Sequence, residues 1–291
     1  MTPNQTGRGH ERIFDEFIAQ AQARPDAPAI LHAGGAWTYG ELERASRRLA
    51  QDLSAAPLVA NPIVAIMGHR RPELVVAMLA CLRAGLTFAV LDTAYPTRRL
   101  VQLVGVVNPG RFIVLDPASW QGREPERAPE DEALRLQLRN PDRVFQLDED
   151  ELARLRAPTA SDDAPLLDTV APTTPAYLLF TSGTTGTPKC IATNHRPLVH
   201  FVSWYVDAFA VRPASRFSLL SGLGHDPVLR DVFVPLSVGA QLHIPDSPSI
   251  TDPARLCRWV RRSQVSHVHL TPQLARVLCA GARDGRSFIL L

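Results

Sequence analysis

Apolar residues follow two alternating patterns along most of the chain. In the longer segments they recur every three or four positions, which is typical of helices with one buried face, and in the shorter ones they form continuous runs, which are typical of buried strands. The first pattern predicts helices over residues 11–23, 39–53, 72–84, 95–107, 197–210, 253–262 and 273–280. The second predicts strands over residues 29–31, 63–67, 87–91, 111–115, 177–180, 217–220, 240–244 and 265–270. Strands that alternate with helices indicate an α/β fold with largely parallel sheets and helices packed on their faces.

Helix-end signals support several of these boundaries. Thr38 can cap the second helix, and Glu41 three residues later completes a capping box. Gly85 follows the third helix, where a left-handed residue commonly ends a helix. Thr193 and Asn194 are capping candidates for the helix that begins near residue 197.

Residues 117–165 differ in composition from the rest of the chain. They are rich in acidic residues and proline, and they contain few apolar clusters apart from 144–147. We interpret them as an exposed, partly flexible excursion before the next core strand. A hidden acidic binding site is the alternative, and a solvated charge run is the preferred reading.

The strand at 177–180 opens into a loop of hydroxyls and glycines that ends on a lysine. Lys189 is the single lysine in a chain whose 31 basic residues are otherwise all arginine, which indicates a position where a compact ammonium is required. Backbone N–H groups and hydroxyls in such a loop suit a phosphate. The candidate phosphate ligands are Thr181, Ser182, Gly183, Thr184, Thr185, Gly186, Thr187 and Lys189.

The spacing separates this loop from the common phosphate-binding loops. Pro188 stands between the last glycine and the lysine, so the Walker A pattern is not met, and G-x-G-x-x-G does not occur. The full string Thr-Ser-Gly-Thr-Thr-Gly-Thr-Pro-Lys resembles instead the signature of adenylate-forming enzymes, which include acyl-CoA synthetases, luciferases and the adenylation domains of nonribosomal peptide synthetases. Residues 37–42 and 82–96 resemble the first two motifs of those adenylation domains, with Ala89 and Thr93 where the family usually has proline.

Residues 222–233 resemble the fourth motif of the family, which lies beside the substrate pocket. His225, Val228 and Asp231 replace the usual Phe, Ser and Glu. By this resemblance Asp226 binds the α-ammonium of an amino acid, next to Pro227, although a plain helix cap is the alternative. Arg230 then either meets an acidic or hydrogen-bonding substrate group or pairs with Asp226 along the helix.

Four other residues stand out, two near the lysine and two on a predicted strand. His195 stands where the family has a histidine shortly after the lysine, and Cys190 stands where most members have glycine. We read Cys190 as a small filler rather than a reactive thiol. His267 and His269 alternate along a predicted strand, but no third ligand is evident nearby, so packed histidines are preferred over a metal pair and no metal site is assigned.

The resemblance implies activation of an amino acid by ATP, which gives an aminoacyl-adenylate and pyrophosphate. The implied cofactors are ATP, Mg²⁺ and the phosphopantetheine of a partner carrier domain, and the implied partners are the carrier and a condensation domain. Lys189 and the loop would hold the β- and γ-phosphates. The alternatives are an acyl-CoA or aryl-acid ligase relative and a non-catalytic truncated binding module.

By the same resemblance, residues 1–291 are the incomplete large N-terminal subdomain of an adenylation domain. The family's magnesium-binding Glu loop, ribose-binding Asp and lid with its catalytic lysine have no counterpart, so no catalytic residue is assigned and we expect little activity from this chain alone. ATP–pyrophosphate exchange with a panel of amino acids tests this, and robust exchange would contradict it.

The composition bears on the expected binding partners and on the expected cellular compartment. The net charge is +2 and the basic residues are spread along the chain, which gives no indication of nucleic acid or an anionic membrane as a partner. The four cysteines form no C-x-x-C pair, and the first residues have no apolar signal core. We therefore expect a cytoplasmic protein with reduced thiols.

Overall fold

The chain forms two six-stranded sheets with helices against both. The computed structural model describes residues 11–56, 61–117, 129–159, 170–181, 188–246, 250, 252–281 and 289–290. The strands are β1 Pro28–His32, β2 Gly35–Thr38, β3 Ile63–Gly68, β4 Thr87–Asp92, β5 Arg111–Leu115, β6 Val144–Leu147, β7 Pro175–Thr181, β8 Lys189–Asn194, β9 Arg216–Ser218, β10 Gln241–His243, β11 His267–Val268 and β12 Ile289–Leu290. The helices are α1 Asp15–Ala23, α2 Tyr39–Ala55, α3 Pro72–Arg83, α4 Thr97–Val107, α5 Pro129–Leu138, α6 Glu149–Arg156, α7 His195–Ala208, α8 Pro227–Val238, α9 Pro253–Ser263 and α10 Pro272–Gly281.

Both sheets are parallel except at one edge. The first sheet has the order β12-β11-β9-β10-β1-β2, and the second has the order β6-β5-β3-β4-β7-β8. In the first, β2 turns back on β1, and in the second, β8 turns back on β7, each as an antiparallel edge strand. The remaining described pairings are parallel, which confirms the α/β prediction.

The hydrophobic side chains separate into layers. The largest cluster joins inward residues of both sheets with most of the helices, among them α3, whose residues are all buried. A second cluster packs α4 and α5 on the other face of the second sheet, and a third packs α9 and α10 on the first. Alternate residues of β3 face opposite clusters, because side chains alternate across a strand. The result is an α–β–α–β–α arrangement.

The segment interpreted as an exposed excursion is packed into the fold where the structure describes it. β6 extends the second sheet beside β5, and Leu152 and Leu155 of α6 are buried. Two arginines of α2 hold this helix: Arg44 Nε donates to the carbonyl of Arg156 at 3.0 Å, and Arg48 Nη1 donates to that of Arg154 at 2.8 Å. Most of the other described side chains of this segment are exposed, so it forms a structured layer at the surface.

Smaller corrections concern element ends. Residues 189–194 form β8, where no strand was predicted, and α7 begins at His195 with the Asn194 side chain accepting from the Arg196 N–H at 3.1 Å. The strand predicted over 265–270 is reduced to β11. None of the helices in the described ranges combines the length and hydropathy that a bilayer crossing requires.

The predicted capping box of α2 is confirmed. The Glu41 N–H donates to Thr38 Oγ1 at 3.1 Å, and the Thr38 N–H donates to Glu41 Oε2 at 2.9 Å. Two N–H groups at the helix start, which have no partner within the helix, are therefore satisfied.

Removing this cap should destabilise the protein. Thr38→Ala should lower the free energy of unfolding by about 1 kcal/mol, as measured by urea denaturation, because the Glu41 N–H loses its acceptor. Thr38→Ser keeps the hydroxyl and is the matched control. Equal losses in both variants would show that the methyl packing, not the cap, stabilises the helix.

Candidate functional site

The predicted phosphate loop connects the two strands of the β7–β8 hairpin. Thr181 at the end of β7 pairs with Lys189 at the start of β8, and both are exposed. Pro188 is buried beside them. The candidates Ser182, Gly183, Thr184, Thr185, Gly186 and Thr187 lie outside the described residues. The hairpin therefore presents the hydroxyl of Thr181 and the ammonium of Lys189 side by side at the base of the loop.

The Asp226 side chain is not a helix cap. Asp226 precedes α8, and Pro227 is the first residue of that helix, but the carboxylate accepts no capping hydrogen bond and the residue is exposed. Asp226 lies near Tyr177 of β7. Burial raises the pKa of Tyr177, a hydrogen bond with Thr193 lowers it, and the nearby Asp226 carboxylate raises it further. The Asp226 carboxylate thus lies near the strand that ends at Thr181.

The loop before α8 packs closely against the side chain of Tyr95. A Cβ on Gly224 would lie 2.9 Å from the hydroxyl of Tyr95, which follows β4, so only glycine fits there without displacement. Tyr177 and Thr181 are separated by four residues on one strand, or roughly 13 Å. Asp226, the candidate ligand of the ammonium, therefore lies near Tyr177, and the candidate phosphate ligands begin at Thr181, at the other end of β7.

Arg230 does not pair with Asp226. Among the described residues no carboxylate lies within ion-pair distance of its guanidinium, and its buried Nε has no hydrogen-bond partner. The guanidinium carbon lies 6.0 Å from the ring centroid of Phe201 on α7. The helical ion pair considered from the sequence is therefore absent, and the side chain retains hydrogen-bonding capacity.

A buried polar network lies directly behind Arg230. Asp231 is 0% exposed, and its Oδ2 accepts the N–H groups of Leu220 at 3.2 Å and Ser221 at 3.0 Å. Its Oδ1 lies 2.5 Å from His269 Nδ1, and His269 Nε2 lies 3.0 Å from the Tyr205 hydroxyl. From the sequence, Asp231 was noted only as a replacement for Glu. An acidic residue in an otherwise apolar helix was the available signal.

Arg70 holds the same turn from the second sheet. Its Nη2 donates to the carbonyl of Ser221 at 2.7 Å and lies 3.5 Å from that of Leu220. Burial lowers the pKa of Arg70, while nearby Asp92 and Asp231 oppose that shift. This residue was missed from the sequence, since one arginine among many after a strand carries no distinctive signal.

Comparison with known proteins identifies the family. The family model for the AMP-binding enzyme matches residues 17–288. The chain belongs to the AMP-binding enzyme family. The family inferred from the motifs is thereby confirmed, and the α/β fold is the one that AMP-binding enzymes share.

Several relatives of this AMP-binding chain are much longer proteins. It is 32% identical to the L-2-aminoadipate reductase large subunit of Eremothecium gossypii over 95% of this chain and 21% of that protein. It is 29% identical to a linear gramicidin synthase of Brevibacillus parabrevis over 93% of this chain and 5% of that protein. Its fold matches the nonribosomal peptide synthetase FmoA3 in an AMPPNP-bound form with a TM-score of 0.78 and 28% identity, over 95% of this chain and 27% of that one. The chain thus spans about a fifth of the length of the first curated relatives.

The other histidines serve the packing of this AMP-binding chain. His267 stacks on Phe217 with ring centroids 4.3 Å apart, while His269 lies 6.4 Å from the same ring and turns its Nδ1 to Asp231. Within the described ranges no group of three or more His, Cys, Asp and Glu residues is arranged to hold a metal ion. Cys190 is half-buried, and burial raises the pKa of its thiol.

His195 ties α7 to the N-terminal helix. It is 1% exposed, its Nδ1 accepts the N–H of Ile13 at 3.5 Å, and its ring contacts Phe14 edge-on. Burial lowers the pKa of His195 to about 4, with nearby Asp15 opposing the shift. The ring is therefore a neutral hydrogen-bond acceptor in the folded protein.

This burial predicts a loss of stability in acid. The unfolded chain binds a proton at His195 near pH 6.5 and the folded chain does so only near pH 4, so this contribution to stability is lost as the pH falls between those values. His195→Asn should reduce the pH slope of the unfolding free energy in that window by about 1.4 kcal/mol per pH unit. Urea denaturation at pH 4.5, 5.5 and 6.5 measures it. An unaltered slope in His195→Asn would contradict the assignment.

Proposed function

We propose that this chain supplies the amino-acid and phosphate sites for an adenylation reaction, in which ATP and an α-amino acid with an anionic side chain form an aminoacyl-adenylate and pyrophosphate. The observation that carries the proposal is the pair Asp226 and Arg230. They lie one helical turn apart, their charges are opposite, and they do not neutralise each other. A ligand that offers an ammonium and an anion at a matching separation satisfies both groups at once.

Each candidate group has a separate role in this reaction. Asp226 would accept hydrogen bonds from the substrate ammonium, and Arg230 would bind the side-chain anion through its planar guanidinium. Lys189 and the loop that begins at Thr181 would bind the β- and γ-phosphates of ATP. A carboxylate oxygen of the amino acid attacks the α-phosphorus, the bond from that phosphorus to the bridging oxygen breaks, and pyrophosphate leaves with the electron pair. Positioning and charge neutralisation account for most of the catalysis of such transfers.

The relatives support this substrate class. L-2-aminoadipate, named in the reductases, is an amino acid with a second carboxylate, which is the group that an unpaired arginine recognises. An acyl-CoA or aryl-acid ligase is less consistent with the site, because such substrates have no ammonium to bind Asp226. By similarity to peptide synthetases, the acyl group would pass to the phosphopantetheine thiol of a carrier domain, beside a condensation domain, in the cytoplasm where ATP and Mg²⁺ are available.

Arg230 should determine the preference for an acidic side chain. Arg230→Met keeps the length of the side chain and removes its charge, so it should weaken binding of L-2-aminoadipate roughly 10- to 100-fold, the usual contribution of a charge-assisted hydrogen bond. The affinity for L-2-aminohexanoate, which has a methyl in place of the carboxylate, should change little. Isothermal titration calorimetry with both amino acids measures this. Undiminished affinity for L-2-aminoadipate in the variant would reject the assignment.

Lys189 should contribute to the binding of ATP and not to the binding of the amino acid. Lys189→Ala should weaken ATP binding by about tenfold or more, because one direct charge contact to the phosphates is lost, and should leave binding of L-2-aminoadipate unchanged. Lys189→Arg retains the charge and tests whether the compact ammonium is required. Calorimetric titration of each variant with ATP and with the amino acid separates the two effects. Equal weakening of both ligands would indicate a folding defect instead.

A further inference from the structure

The polar network behind Arg230 connects three elements through fully buried side chains. Asp231 on α8, His269 after β11 and Tyr205 on α7 are each at most 2% exposed. The contacts run in one line, with 2.5 Å between Asp231 Oδ1 and His269 Nδ1 and 3.0 Å between His269 Nε2 and the Tyr205 hydroxyl. No one element could place these groups, since 64 residues separate Tyr205 from His269 and 38 separate Asp231 from His269.

The chemistry of the groups fixes the direction of the hydrogen bonds. The Asp231 carboxylate only accepts, so His269 Nδ1 must carry the hydrogen that it donates. In the neutral ring Nε2 is then an acceptor, and the Tyr205 hydroxyl donates to it. The hydroxyl hydrogen of Tyr205 is then hydrogen-bonded to His269. The lone pairs of the Tyr205 oxygen remain available to accept hydrogen bonds from other groups.

Arg230 lies at the open end of this line. It precedes Asp231 on α8, and its guanidinium lies over Phe201, whose ring centroid is 5.9 Å from that of Tyr205. The charge of Arg230 also acts on the phenol, since burial raises the pKa of Tyr205 and the nearby Arg230 opposes that shift. The guanidinium therefore lies over Phe201, the ring that also packs against Tyr205 at the end of the line.

We propose that Asp231, His269 and Tyr205 form a positioning relay that fixes the orientation of Arg230 for an anionic substrate side chain. Asp231 anchors α8 next to Arg230, His269 joins it to Tyr205, and Tyr205 packs against Phe201, over which the guanidinium lies. This inference rests on the proposed function, because it assigns the relay to the recognition of one substrate group. The residues of the relay are positioning residues, and none of them contacts the reacting atoms.

The relay predicts a change in selectivity rather than in overall binding. The measured quantity is the ratio of the affinities for L-2-aminoadipate and L-2-aminohexanoate. Tyr205→Phe keeps the ring and removes the hydroxyl, so it should lower this ratio about tenfold while leaving the affinity for L-2-aminohexanoate within about twofold. His269→Leu should lower the ratio at least as much, and His269→Gln, whose amide offers both a donor and an acceptor, should retain part of it.

Tyr39→Phe is the matched control. Its hydroxyl is also buried and donates to the carbonyl of Ala240 at 2.7 Å, just beyond the other end of α8. Losing it should lower stability without changing the ratio. A ratio that falls equally in Tyr39→Phe and Tyr205→Phe, or that stays at the wild-type value in Tyr205→Phe, would overturn the relay.

Imidazole ¹⁵N NMR of the wild-type chain tests the relay without a ligand and without a variant that could misfold. His269 should be the tautomer that carries its hydrogen on Nδ1, and the Nε2–H tautomer would overturn the proposal. If wild type shows no preference for L-2-aminoadipate, the proposed function fails and the relay fails with it. Suppose that wild type shows the preference, that Arg230→Met removes it and that Tyr205→Phe keeps it. In that case only the relay fails.

Discussion

The peptide groups of Leu220 and Ser221 are held from both sides, and the site is built around this turn. Arg70, beyond the end of β3 in the second sheet, donates to their carbonyl oxygens, while the Asp231 carboxylate from α8 accepts their N–H groups. The turn itself follows β9 of the first sheet. One short segment therefore joins the two sheets and the helix between them. A buried carboxylate is costly unless its hydrogen bonds are satisfied, so the turn and Asp231 require each other.

Many of the arginines have structural roles, and this narrows the set of basic residues that are candidates for ligand binding. Several arginines donate to backbone carbonyls where elements end, as Arg111 does to Leu53 and Ala56 at 2.7 Å each, and Arg143 does to Gly110 at 3.0 Å. A planar fork with several donors suits such positions better than an ammonium. Arg230 differs from these arginines, because among the described residues no carbonyl or carboxylate accepts from its guanidinium, which lies over the Phe201 ring.

The sequence was sufficient wherever the deciding contacts are local. The capping box of Thr38 and Glu41, the end of α3 before Gly85 and the parallel strands all follow from spacing within one element. The strand–loop–lysine pattern likewise located β7 and the end of the loop at Lys189, although the strand β8 that begins there was missed.

The sequence was insufficient wherever partners are distant or are backbone atoms. Residues 129–159 looked solvated because their charges were visible and the carbonyls that α2 holds were not. His267 and His269 looked like a pair because they are two residues apart, but each is defined by a neighbour far away in the chain, Phe217 for one and Asp231 for the other. Local spacing cannot encode such contacts, since only the folded sheets bring them together.

The position of Arg230 is electrostatically unfavourable for the free protein and favourable for a complex. It lies near the start of α8, where the helix dipole presents partial positive charge. An acidic residue stabilises such a position and an arginine does not, and Asp226 one turn earlier leaves the guanidinium unneutralised. A bound anion reverses this balance, because the helix start and the guanidinium then attract the same charge. The placement therefore favours a substrate that brings its own negative group over one with an uncharged side chain.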